Sequence, residues 1–79
     1  MNWREYVEQR PDVLAGKPVF KGTRLSVEFI LERLGDGATE TDLLDAYPRL
    51  RPEHIRAAQA YASAALASDE TVFLSDQPA

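Results

Sequence analysis

The apolar positions of the chain fall into three helical stretches preceded by two short extended ones. Val27, Ile30, Leu31 and Leu34 recur at i, i+3, i+4 and i+7, which places them on one face of a helix. Ser26 stands just before them, with a side-chain oxygen for an orphan N–H of the first turn. Gly35 and Gly37 supply the stop. Thr39 opens a second helix, and Asp42 three residues on completes a capping-box-like pair. Leu43, Leu44 and Tyr47 form its apolar face, and Pro48 ends it by pushing the preceding residue out of helical conformation. Pro52 suits the first position of a third helix, which runs through EHIRAAQAYASAALA. Alanine is the best helix former, so this stretch is the strongest helical signal in the chain. Within it Ile55, Ala58, Ala62, Ala65 and Leu66 make one stripe, while Arg56, Gln59 and Ser63 lie on another face.

Upstream, NWREYV is aromatic and β-branched with loose alternation, which predicts a short strand over residues 3–7; a helical turn is the other option for so brief a run. Pro11, Gly16 and Pro18 punctuate a loop, residues 19–21 form a second strand, and Gly22 turns the chain. Two strands alone are unstable in water, so the ribbon must lie on the helices. The expected fold is mainly α: a three-helix helix-turn-helix arrangement with a short N-terminal β ribbon. One domain is expected over residues 1–67, with the ribbon at 2–22, the bundle at 26–67, and a tail at 68–79.

Composition narrows the chemistry. The 79 residues contain no Cys and one His, which excludes a disulfide framework and the usual nitrogen–sulfur zinc sites built from one chain. No run of about 18 apolar residues exists to span a membrane, and MNWREYVEQR is too charged for a signal peptide. A cytoplasmic protein is expected. A chain this short buries only about 60% of its unfolded surface, so association with a partner is a natural source of stability. The net charge of −4 is unevenly spread. Arg4, Arg10, Lys17, Lys21 and Arg24 outnumber the acids of the first segment, and Arg49, Arg51 and Arg56 form a second basic island. Between them Glu28, Glu32, Asp36, Glu40, Asp42 and Asp45 oppose a single Arg33.

The second and third helices, with their tight connection, have the outline of a helix-turn-helix, in which the second helix of the pair enters the major groove. Arg49, Arg51, His54, Arg56 and Gln59 provide the basic, hydrogen-bonding residues such a helix needs. Arg pairs bidentately with guanine and Gln with adenine. A plain three-helix core with solvated charges fits the same pattern. The strip GKPVFKGTRLSV lacks the Lys a phosphate-binding P-loop requires, so its glycines are read as turn residues. Lys17, Lys21 and Arg24 either touch phosphates, which position a protein without reading sequence, or are solvated. His54 has no catalytic partners in the pattern and is read as a rim or nucleic-acid contact; no enzyme, cofactor or metal site is expected. In the tail, Val72, Phe73 and Leu74 sit between acids, a segment suited to a basic, grooved partner or to folding back on its own core.

GKPVFKGTRLSVEFILERL followed by YPRLRPEHIRAAQAYA resembles the small bacterial proteins of domain-of-unknown-function family 433, DUF433. The matching residues include Gly16, Lys17, Pro18, Gly22, Thr23, Arg24, Val27, Ile30, Leu31, Tyr47, Pro48, Leu50, Ile55, Ala58, Tyr61 and Ala62, within residues 12–66. Arg51 stands where that family usually offers Thr or Ser as a helix cap, and Ser26 where Pro is frequent. The resemblance implies a homeodomain-like three-helix fold with an N-terminal β element. It also implies a VapB-like antitoxin paired with a PIN-like ribonuclease toxin. The expected protein is a homodimer that binds its own operator DNA, and the tail with Val72, Phe73 and Leu74, which the resemblance does not cover, is expected to block the toxin. A protein–protein adaptor without a DNA role is the alternative.

Overall fold

The computed structural model describes residues 1–68, and the tail readings made on Val72, Phe73 and Leu74 lie outside the described residues. The first element is a 3-10 turn, Trp3–Glu5, and not a strand. The Asn2 side chain accepts the Arg4 N–H at 3.2 Å, which closes the turn and carries Trp3 across to Tyr61, edge-on at 5.0 Å. The strand begins only at Val7: β1 is Val7–Gln9 and β2 is Pro18–Phe20. They pair antiparallel with Val7 opposite Phe20 and Gln9 opposite Pro18. Lys21 N–H donates to the Tyr6 carbonyl at 2.9 Å and lengthens the ladder by one bond. Pro18 can open β2 because an edge position needs no N–H.

Three helices follow: α1, Val27–Gly35; α2, Glu40–Ala46; and α3, Pro52–Ser68. The caps read from the sequence are formed. Ser26 accepts the Phe29 N–H at 2.9 Å. Thr39 and Asp42 make the reciprocal capping box, at 3.1 and 2.9 Å. Those bonds from Thr39, the backbone one first, hold the Asp42 carboxyl below its ordinary value. Past α1, Gly37 takes φ +103° while the Ala38 N–H reaches the Arg33 carbonyl and the Gly37 N–H that of Leu34. This is the Schellman closure that a left-handed glycine permits.

The ribbon's inner side and the helices share one core. Val19, Phe20, Ile30, Ala57 and Ala58 are fully buried, and Val7, Val27, Leu43, Leu50 and Ile55 are nearly so. Ala57 and Ala58 let α3 approach α1 and the Trp3–Glu5 turn closely, which a longer side chain would prevent. The apolar stripe expected along α3 holds for Ile55 and Ala58 but not for its end. Ala65 is exposed and Leu66 is 66% exposed, because the last turns of α3 run past the core. Among the described residues no helix is long and apolar enough to cross a membrane.

Candidate functional site

Five of the eight exposed basic residues fall into two groups. The first lies on α3. At 3.6 residues per turn, Arg56, Gln59 and Ser63 fall within about 60° of one another, and all three are exposed. Arg51, at the N-cap of the same helix, is also exposed and has no carboxylate partner among the described residues. Arg56 stands 3.8 Å from Glu53, a loose pair on the solvent side that constrains the guanidinium little.

His54 does not belong to this face. It lies about 160° around the helix from Arg56 and is half-buried. Its ring packs edge-on against Tyr6 at 5.5 Å and against Phe20 at 5.4 Å. Its Nδ1 accepts the Arg51 N–H at 2.9 Å. His54 is thus the third helical residue returning a side-chain bond to the cap residue, the role Glu or Gln plays in a capping box. Arg51 has no short hydroxyl of its own to cap with, and the histidine three residues later supplies half of the missing closure. Burial holds the imidazole below its ordinary proton affinity, opposed by the Glu53 charge.

The second group surrounds a groove that the sequence did not disclose. The GTR block and the YPR block, far apart in the chain, meet in space. Gly22 takes φ +78°, open to glycine at little cost. The Thr23 hydroxyl donates to the Phe20 carbonyl at 2.8 Å and accepts the Leu25 N–H at 3.0 Å. This locks the turn and leaves Arg24 exposed at its tip. Arg49 Nη1 then donates to the Gly22 carbonyl at 3.1 Å, tying the turn to the connection between α2 and α3. The groove between them has a volume of about 790 Å³, with Val13, Leu25, Tyr47 and Pro48 as apolar lining and Arg10, Arg24 and Arg49 at its edges. Glu8 and Asp12 are its acids, Asp12 lying 3.5 Å from Arg10. A smaller hollow of about 330 Å³ continues it past Arg24, Leu25 and Tyr47 to Leu14 and Phe29.

The remaining cations lie elsewhere. Lys17 pairs with Glu28 at 3.1 Å across the start of α1. Lys21 is exposed with no carboxylate partner among the described residues. The glycine spacing around Lys17 and Lys21 does not form a phosphate cradle: Gly16 closes the loop before β2 and Gly22 the loop after it. Among the described residues no group of His and carboxylate side chains is placed to hold a metal ion.

Comparison with known proteins adds lineage to this geometry. The chain is 41% identical over 61 residues to the uncharacterized protein y4eO of Sinorhizobium fredii, covering 77% of this chain and 28% of that protein. It therefore spans less than a third of that relative's length. No solved structure matches the chain. The profile described as "Protein of unknown function (DUF433)" matches residues 7–62, from the first residue of β1 into α3. That stretch contains the groove, the caps of the three helices, and Arg56 and Gln59 of the outer face of α3, and the chain belongs to the DUF433 family.

Proposed function

We propose that this chain is the DNA-binding antitoxin of a type II toxin–antitoxin pair. It represses its own operon as a homodimer and neutralises a PIN-like ribonuclease toxin in the cytoplasm. The observation that carries the DNA half is the outward set on α3. Arg56, Gln59 and Ser63 share the solvent side of a helix whose other side is anchored by His54, Ala57 and Ala58, and Arg51 is exposed at its N-cap. A helix held on one face, with guanidinium and amide groups on the other, suits entry into the major groove after a short connection from α2. Arg and Gln there reach guanine and adenine edges. Glu28, Glu32, Glu40, Asp42 and Asp45 lie on α1 and α2, away from this face, while Glu53 stands beside Arg56; the local field at the contact surface is what governs docking. Two copies would place their α3 helices about 34 Å apart, one turn of DNA. The nuclease half draws on Val72, Phe73 and Leu74 among Asp69, Glu70 and Asp76, an acidic and apolar segment able to cover a nuclease's substrate groove.

A gel-shift titration with the DNA upstream of the protein's own gene tests the reading. Binding should weaken with salt, and Arg56→Ala should weaken it further and lower the salt slope by about 1 if Arg56 meets a phosphate. Absence of binding at low salt would reject it. A protein–protein adaptor without a DNA role is then favoured, and the groove beside Arg24 and Arg49 is the observation on its side.

A further inference from the structure

The nine Lys and Arg residues of the chain are unequally answered by acids. Arg10, Lys17, Arg33 and Arg56 each stand beside a carboxylate, and Arg4 lies over the Trp3 ring at 4.4 Å. Lys21, Arg24, Arg49 and Arg51 have no carboxylate partner among the described residues. Two short segments supply all four: the turn after β2 and the connection before α3. The Arg49–Gly22 bond holds these segments together, and His54 ties Arg51 to the Phe20 ring at the end of β2. Arg51 leads into the face of α3 assigned above to DNA. The other three belong to the groove between the segments: Arg24 and Arg49 line it, and Lys21 directly precedes its lining residue Gly22.

The groove's own acids leave this excess in place. Asp12 is paired with Arg10 at 3.5 Å, so Glu8 alone opposes Arg24 and Arg49 within the lining. Arg49 is also pre-set for a ligand. One of its N–H donors is held by the Gly22 carbonyl, which fixes the guanidinium and leaves its other donors free. The smaller hollow that continues the groove has Arg24 as its single charged residue, beside Leu14, Leu25, Phe29 and Tyr47. Leu14 is 41% exposed. The loop that holds it there is strained, with φ +47° at Leu14 and +56° at Ala15. Such left-handed conformations disfavour residues other than glycine and concentrate at ligand clamps.

A nucleic-acid backbone would engage the cations, leave the apolar lining uncovered and set its run of phosphates against Glu8. A short acidic segment with an apolar anchor satisfies the whole lining. We propose that the groove docks such a peptide segment of a partner protein. Its apolar side chain enters the hollow over Leu25, Phe29 and Tyr47, and a carboxylate beside that anchor meets Arg24 and Arg49 in charge-assisted hydrogen bonds. Lys21 adds to the attraction, and Glu8 limits the segment to one or two acids on one side of the anchor. A buried apolar anchor with charged groups at the rim is the usual division of labour in such interfaces. Docking here uses neither DNA nor the outer face of α3, so the two activities stand or fall separately.

The test is a titration of the 15N-labelled full chain with the acetylated, amidated peptide Ser-Gln-Leu-Phe-Asp-Asp-Ser, followed by heteronuclear single-quantum correlation spectra. Saturable shifts should concentrate at Gly22, Thr23, Arg24, Leu25, Tyr47 and Arg49. Arg24→Glu, checked for unchanged far-ultraviolet circular dichroism, should weaken binding at least about tenfold, as should Asn in place of both peptide Asp residues. Glu8→Gln should tighten binding about twofold, because it removes the one opposing charge of the lining. A peptide with Ser-Ser in place of Leu-Phe should not bind. Absence of shifts at about 1 mM peptide would overturn the proposal. Equal binding by Arg24→Glu or by the Asn peptide would overturn it as well. Shifts at the same amides with duplex DNA but not with the peptide would overturn it in favour of phosphate. Dimerisation of the chain that Arg24→Glu abolishes in sedimentation equilibrium would overturn it in favour of a second copy.

Discussion

His54→Ala separates a structural role from a nucleic-acid role for the only histidine. The substitution removes the acceptor at 2.9 Å from the Arg51 N–H and two edge-on ring contacts, with Tyr6 and Phe20. A lost helix cap costs about 1 kcal/mol. Each aromatic pair contributes about 0.5 kcal/mol at the low end appropriate to a half-buried ring. The total is about 2 kcal/mol, which in a domain of this size lowers the melting temperature by about 8–16 °C. Differential scanning calorimetry measures it directly. His54→Gln keeps an acceptor at the third helical position and should lose about half as much. The pH dependence adds an independent readout. Because burial lowers the folded imidazole's pKa, the unfolded chain binds the proton more tightly. The wild-type contribution is complete above the ordinary value of 6.5 and declines as pH falls through it toward the lower folded value. Protonation also turns Nδ1 from acceptor to donor and opens the cap. His54→Ala should flatten that decline. A variant with unchanged melting temperature and unchanged pH profile would refute the capping role and return His54 to the set of surface contacts.

Two further substitutions probe the scaffold. Ala58→Leu forces a larger side chain into the fully buried contact between α3 and its neighbours and should cost about 1–3 kcal/mol in urea denaturation; no loss would show that α3 is not closely packed there. Ala15→Gly relieves a left-handed residue, φ +56°, in the loop before β2, and against the entropy glycine adds to the unfolded chain the net change should lie between zero and about 1 kcal/mol of gain. A clear loss of stability in the same denaturation assay would refute strain in that loop.

The local signals in the sequence translated directly. Ser26, the Thr39–Asp42 pair and Pro52 each act within one helical turn, so residue type and spacing sufficed to locate the three helix starts. The N-terminal stretch was less legible because alternation over so few residues does not separate a strand from a turn. The Asn2 bond and the Trp3–Tyr61 contact, the latter across 58 positions of sequence, decide it as a 3-10 turn. Helical spacing alone could have set His54 apart from Arg56 and Gln59, since it falls on the side of Ala57, Ala58 and Tyr61. Its third position after Arg51 was the available signal for a cap. The exposed end of α3 was hidden because the stripe of small residues continues after its neighbours have ended. The groove was illegible in principle: it depends on the Arg49–Gly22 bond, and nothing local to either residue announces the other.

The outward face of α3 is the claim on which the functional account rests, and one measurement addresses it most directly. A 15N-labelled chain titrated at low salt with duplex DNA from upstream of its own gene, followed by heteronuclear single-quantum correlation spectra, reports which amides sense the DNA. The account predicts shifts concentrated at Arg51, Arg56, Gln59 and Ser63, with Glu32 and Asp36 on α1 and its cap unmoved. Spectra that do not change, or that change only around Arg24 and Arg49, would contradict it.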